Sequence, residues 1–290
     1  MVWEHRRMLV ELAVGDAYGA GFEYADPGFV LAHNTLRGYV GNPVHPDLLP
    51  GRYTDDTQMS IAVAEVLASD GPWTAARFAD AFVRAFHRDP RAGYARGFQA
   101  LLPQLPDGAA LLDRIRPDSD KSGAAMRAAP VGLLPSVDEV LRTTAVQARI
   151  THDTPDGVEA ARAAALAVHY CHFALGPVAE VGRWLDGLLP SGDWATPWSG
   201  PVGSKGLMSA RAAVTALASA TSMSGLLRTC VAFTGDVDTV ATIALAAGSR
   251  SAEVAQDLPR VLLDGLERGP YGHDHLADLD TRLFAALSVH

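Results

Sequence analysis

Apolar positions along this chain fall in long, alanine-rich blocks rather than in short alternating runs. Residues 60–69, 74–87, 155–173, 207–220 and 239–247 all have helix composition. Alanine is the strongest helix former and lets helices approach closely. Thr154-Pro155-Asp156 reads as a helix start: Thr154 caps, Pro155 fits the first turn and Asp156 complements the dipole. Residues 239–247 are apolar on nearly every side, which predicts a buried helix. Strand-like alternation between hairpin turns is scarce, so the pattern predicts an all-α fold.

Gly and Pro punctuate the helical blocks. Two stretches, 27–51 and 190–206, exceed the usual length of a connection, and long ordered loops in compact proteins often carry function. Both contain large apolar residues able to dock, Trp194 and Trp198 among them, so neither reads as a linker. With no internal repeat and no low-complexity tract, residues 1–290 read as one domain.

Composition narrows the class. At 48% hydrophobic and 20% charged, the chain can fill a sizeable core. Lys and Arg number 24 against 33 Asp and Glu, a formal charge of −9, which disfavours general nucleic-acid binding. Cys171 and Cys230 belong to no CxxC pair and read as free thiols of a reducing compartment. The residues after Met1 lack the apolar block of a signal peptide, and no stretch has the length of a membrane span. The expectation is a cytoplasmic protein without membrane association.

Two acidic runs stand out. Tyr53-Thr54-Asp55-Asp56-Thr57 precedes one helical block, and Gly235-Asp236-Val237-Asp238-Thr239 opens another. Thr and Asp at such places commonly cap helices. Capping needs one side chain, however, and adjacent carboxylates repel unless a positive charge lies between them. A hard divalent cation, which prefers oxygen ligands, is the other reading. Asp236 and Asp238 can converge only outside regular helix, where positions two apart point to opposite sides.

With Gly15-Asp16-Ala17-Tyr18-Gly19-Ala20-Gly21-Phe22-Glu23 ahead of them, the two runs form an ordered set. Two further segments join it: Ser122-Gly123-Ala124-Ala125-Met126-Arg127-Ala128-Ala129-Pro130, and His152 just before the helix at Thr154-Pro155. Together these resemble the ADP-ribosylglycohydrolase family over residues 8 to about 250. Thr234 stands where the family often has the first Gly of its C-terminal motif, and Val237 where it often has Thr. Lys121-Ser122-Gly123 stands in place of the frequent Gly-Asn-Gly. Gly200-Pro201-Val202 replaces a frequent Gly-Tyr pair, which leaves the leaving-group pocket open.

The resemblance implies a compact multi-helix orthogonal bundle with two magnesium or manganese ions in a central cleft. It implies Thr54, Asp55, Asp56 and Asp238 as ligands of one ion, and Asp55, Asp236, Asp238 and Thr239 as ligands of the other. Glu23, with Asp55 and Asp56, would serve catalysis. Ser122, Gly123, Ala124, Met126 and His152 would contact substrate, the Ser122–Gly123 loop holding the diphosphate. The implied activity is hydrolysis of the glycosidic bond of an ADP-ribosylated protein or other acceptor, with ADP-ribose as product. A metal-dependent phosphohydrolase and a non-catalytic ADP-ribose-binding homologue are the alternatives. His169 and His172 lack an HExxH pattern and read as packed histidines, and Gly203-Ser204-Lys205-Gly206 lacks the order of a P-loop.

Overall fold

A computed structural model describes residues 7–189 and 193–288. The first residues of the 190–206 stretch therefore lie outside the described residues. Among the described residues, regular structure is helical: α1 (Leu9–Ala20), α2 (Pro27–His33), α3 (Asp55–Leu67), α4 (Ala75–Arg88), α5 (Arg96–Leu101), α6 (Gly108–Arg114), α7 (Val137–Ala148), α8 (Pro155–His172), α9 (Val181–Asp186), α10 (Gly206–Ala218), α11 (Met223–Ala232), α12 (Val237–Gly248), α13 (Arg260–Gly265) and α14 (His273–Leu287). Extended pairing is limited to isolated bridges. No helix is long and apolar enough to cross a membrane.

Local chemistry explains most boundaries. Thr154 caps α8 by accepting from Gly157 N, with Pro155 in the first turn, as the sequence predicts. Ser136 and Glu139 cap α7 reciprocally, the Ser136 hydroxyl donating to Glu139 and accepting from its N–H. Two expectations need revision. The 27–51 stretch is not loop throughout, because Asp26 caps Gly28 N at 2.8 Å and Pro27 sets the first turn of α2. Helix α3 begins at Asp55 rather than near Ser60, so the acidic run forms its first turn.

The interior is organised around α1 and α12, every residue of which is buried. Their backbones approach so closely that a Cβ on Gly15 would lie 2.7 Å from Ala241 O, and one on Gly19 2.4 Å from Asp238 Cα. Helix α3 packs against both, and α14 packs against α1 and α3. Asp280 of α14 caps the start of α1, accepting from Met8 N at 2.9 Å and Leu9 N at 3.0 Å. This packing brings the end of α1 and the beginnings of α3 and α12 to one place. Trp194 docks as expected: it is buried, and its indole N–H donates to Leu189 O. Both cysteines are free and buried.

The contact at Gly19 is backbone against backbone, so no side-chain rotation can relieve it. Gly19→Ala is expected to destabilise the protein by about 2–3 kcal/mol. Gly97→Ala, with nothing within 4 Å of its added methyl, should be neutral or slightly stabilising. Denaturant midpoints of the two variants check this; equal behaviour would contradict the close packing of α1 on α12.

Candidate active site

Where the three helix ends meet, a cleft of about 590 Å³ opens. Its floor is acidic. Glu23 comes from the turn after α1, Asp55 and Asp56 from the first turn of α3, and Asp236, Asp238 and Thr239 from the start of α12. Carboxylate oxygens of Glu23, Asp236 and Asp238 all lie within 4.8 Å of one another. Asp236 is the N-cap residue of α12 and Asp238 lies in its first turn, so the two converge at the helix start, as the spacing required. Beside this floor a wall carries Ser122, Gly123, Met126, Arg127 and His152, the Ser122 side chain within hydrogen-bonding reach of Asp236, with Tyr94, Phe98, Leu101 and Ile115 forming an apolar side.

Two residues expected at the site do not line the cleft. Thr54 is buried beneath it and donates its hydroxyl proton to Asp16 at 2.8 Å, which leaves its oxygen lone pairs. Ala124 is fully buried behind the wall, its carbonyl accepting from Gln147 Nε2 at 3.2 Å.

The device that shapes the floor is Asp16, to which the sequence reading gave no role. Its carboxylate accepts from Thr54 N at 2.9 Å, Thr57 N at 2.9 Å and the Thr57 hydroxyl at 2.6 Å, besides the Thr54 hydroxyl. Asp16 therefore satisfies N–H groups at the start of α3 from outside that helix. Thr54 also accepts from Asp56 N, at 3.4 Å. With the capping done by Asp16 and Thr54, Asp55 and Asp56 are released to face the cleft.

The second run is held differently. Val202 pairs with Gly235: Val202 N donates to Thr234 O at 2.9 Å, and Asp236 N to Val202 O at 3.0 Å. A Cβ on Gly235 would lie 1.9 Å from Val202 O, and its φ of +90° is left-handed. Thr234 beside it also takes a left-handed φ of 64°, a strain of about 1 kcal/mol for a branched residue. The Ser209 hydroxyl donates to Asp236 Oδ2 at 2.9 Å. Neither Trp194 nor Trp198 lines the cleft; the segment around Val202 buttresses the Asp236 turn instead.

The electrostatics follow from this crowding. Burial first, then neighbouring carboxylates, push Asp55, Asp56 and Asp238 well above the usual carboxylate range. Burial, with Asp236 and Asp16, carries Glu23 up to about 8. Asp56 Oδ2 is buried without a hydrogen-bond partner. Hard oxygen donors, mutual repulsion and an unsatisfied carboxylate oxygen together fit a divalent cation.

On the wall, Ser122–Ala124 form a single 3₁₀ turn. Ser122 N donates to Ser204 O at 3.2 Å and Gly206 N to Asp120 O at 2.9 Å, which fixes the turn against the start of α10. The Ser122 amide is thus already committed within the protein. Lys121 is exposed at the cleft edge, where Arg116 also stands, a cation that the sequence reading did not single out. His152 packs beside Gly123, with Nδ1 2.6 Å from the Thr151 hydroxyl. His169 is a packed histidine, with Nδ1 3.2 Å from Gly132 O, and His172 contacts Arg250.

Comparison with known proteins places this geometry. A sequence profile described as ADP-ribosylglycohydrolase matches residues 5–289. The chain is similar to the ADP-ribosylarginine hydrolase Tri1 of Serratia proteamaculans (strain 568), at 30% identity over 159 residues, 52% of this chain and 42% of that protein. It is similar to the ADP-ribosylhydrolase ARH3 of Mus musculus, at 30% identity over 196 residues, 63% of this chain and 52% of that protein. The matches thus span about half the length of these curated relatives. The fold is similar to a solved structure described as an ADP-ribosylglycohydrolase-related protein complex, with a TM-score of 0.71, 25% identity and 97% of each chain covered. With the profile spanning nearly the whole sequence and the same all-helical architecture, this chain belongs to the ADP-ribosylglycohydrolase family.

Proposed function

We propose that this chain is a cation-dependent hydrolase that cleaves the glycosidic bond of an ADP-ribosylated protein or other acceptor and releases ADP-ribose. The observation that carries the reading is the buried carboxylate floor, Glu23 with Asp236 and Asp238 facing Asp55 and Asp56, under a wall bearing Ser122, Gly123 and His152. Residues 1–290 act in this reading as one domain. Thr54, Asp55, Asp56 and Asp238 would hold one magnesium or manganese ion, and Asp55, Asp236, Asp238 and Thr239 the other. Bound there, the ions supply positive charge that orients the ribose hydroxyls and acidifies water.

The chain's own residues account for the remainder. Water adds at the anomeric carbon as the bond to the acceptor breaks, and the acceptor leaves carrying a proton. Positive charge develops on the sugar in between. The acidic floor stabilises that charge. Glu23, which lines the cleft beside Asp236 and Asp238, is suited to take the proton of the attacking water once bound cations offset the repulsion of those carboxylates. The Ser122–Gly123 turn, Arg116 and Lys121 lie where a diphosphate can be met, and Tyr94 and Phe98 offer rings to a base. The proximity of Glu23 to Asp236 and Asp238 also favours a second role for it, as a cation ligand.

Two experiments test this. Defined ADP-ribosyl substrates incubated with magnesium should yield free ADP-ribose and no inorganic phosphate, and chelation should stop release. Asp55→Ala and Asp238→Ala should lose both cation retention and turnover. Glu23→Gln should lower kcat by about 10²–10⁴ with the fold retained. Phosphate as the product, or full activity in either Asp variant, would overturn the reading.

The second concerns stability. Glu23 ionises at an ordinary 4.5 when unfolded and at about 8 in the cleft. A raised carboxyl stabilises the folded state below the unfolded value, and that stability is lost as pH rises through the folded value. The cation-free protein should therefore lose thermal stability between pH 4.5 and 8. Magnesium at a hundredfold excess over its Kd should return about 2.7 kcal/mol at the alkaline end, roughly 5 °C or more in Tm. A melting temperature indifferent to magnesium throughout would contradict it.

A further inference from the structure

In the cleft wall, Arg127, Thr151 and His152 form a hydrogen-bonded chain, of which the mechanism above uses neither Arg127 nor Thr151. Arg127 is 2% exposed. Its Nε donates to Gln147 Oε1 at 2.6 Å, and its Nη2 donates to Gln147 O at 3.0 Å and to Thr151 Oγ1 at 2.8 Å. The guanidinium lies 4.4 Å from the centre of the Phe82 ring, which helps fix its plane. Arginine has donors only, so the Thr151 oxygen must accept from it.

Thr151 has one hydroxyl proton to place. Its other contact is His152 Nδ1, at 2.6 Å. Among the described residues, no hydrogen bond takes that proton to any other acceptor. If Nδ1 carried the ring proton instead, the Thr151 oxygen would accept twice and its buried proton would be left over. The favourable arrangement has Thr151 donating to Nδ1, which places the imidazole proton on Nε2.

His152 Nε2 is the atom left for a ligand. The residue is 6% exposed, its ring lines the cleft, and Nε2 has no partner in the protein. A Cβ on residue 123 would lie 3.0 Å from His152 Cε1 and 3.3 Å from Nε2, so Gly123 keeps that edge of the ring open. Burial, with Arg127 nearby, lowers the imidazole to about 3 and keeps it neutral. A neutral ring with its proton on Nε2 gives a hydrogen bond and cannot take a proton at that atom.

We propose that Arg127 and Thr151 are positioning residues that fix His152 as the Nε2–H tautomer, making it a hydrogen-bond donor to an oxygen of the bound ligand. That ligand is ADP-ribose on the functional reading above, and the oxygen is one of its phosphate or ribose oxygens. His152 then serves binding, and proton transfer falls to the acidic floor.

Histidine-selective ¹⁵N labelling of the full chain reads the tautomer directly, without ligand. The expected result is a protonated Nε2 in the wild type. Thr151→Val removes the donor to Nδ1 while keeping the shape, so His152 should become a mixture of tautomers. The affinity for ADP-ribose should then fall about tenfold. Thr151→Ser should restore both. A proton on Nδ1 in the wild type overturns the proposal whether or not the variants fold. So does a Thr151→Val protein with unchanged tautomer and unchanged affinity. Failure of the wild type to bind ADP-ribose would count against the functional reading, while the tautomer measurement still decides the fixing role of Thr151.

Discussion

Like charges do not collect in a protein interior unless the backbone carrying them is held by something stronger than their repulsion. Here the holding is done by helix packing. Helices α1 and α12 touch backbone to backbone at Gly15 and Gly19, and α3 lies against both. Because the floor residues sit at the ends of these helices, their convergence is decided by the core rather than by the loops. Asp16 completes the arrangement by taking over N–H groups of α3 that Asp55 or Asp56 would otherwise satisfy. The Val202–Gly235 pairing does the same service for the Asp236 turn.

Counting hydrogen bonds separates the residues that hold from the residues that wait. Asp16 has every neighbour it needs, and the Arg127 guanidinium is engaged by Gln147 and Thr151. Asp56 Oδ2 and His152 Nε2 have none. Buried polar atoms without partners are uncommon, and each calls for an explanation. Both line one cleft, Asp56 within the carboxylate floor and His152 beside the Ser122–Gly123 turn. That pairing matches a ligand bearing a sugar to be held over cations and oxygens to be met by donors.

Much of this is legible in the sequence where chemistry is local. Thr154-Pro155 marks the start of α8, and the apolar stretch after Asp238 marks a buried helix. The ordered motifs identify the residues of the floor, since runs of adjacent carboxylates are hard to explain by capping alone. Non-local facts are hidden. Asp16 lies within one of those motifs, but nothing in its spacing tells that it reaches Thr54 and Thr57 across the fold. The nearness of Glu23 to Asp236 depends on α1 packing against α12. The short helix α2 escapes a reading of the sequence because a seven-residue segment is too brief for periodicity to speak, leaving only Asp26 and Pro27 as signals. Thr234 is a departure from the family's frequent Gly that the backbone absorbs as a left-handed residue.

The central claim is that this floor is a cation site. Crystals of the protein soaked in manganese, with anomalous scattering recorded, test it most directly. The account predicts two anomalous peaks between the Asp55–Asp56 turn and the Asp236–Asp238 turn. A protein that crystallises with this fold yet shows no peak there, at manganese concentrations that support turnover, would contradict it.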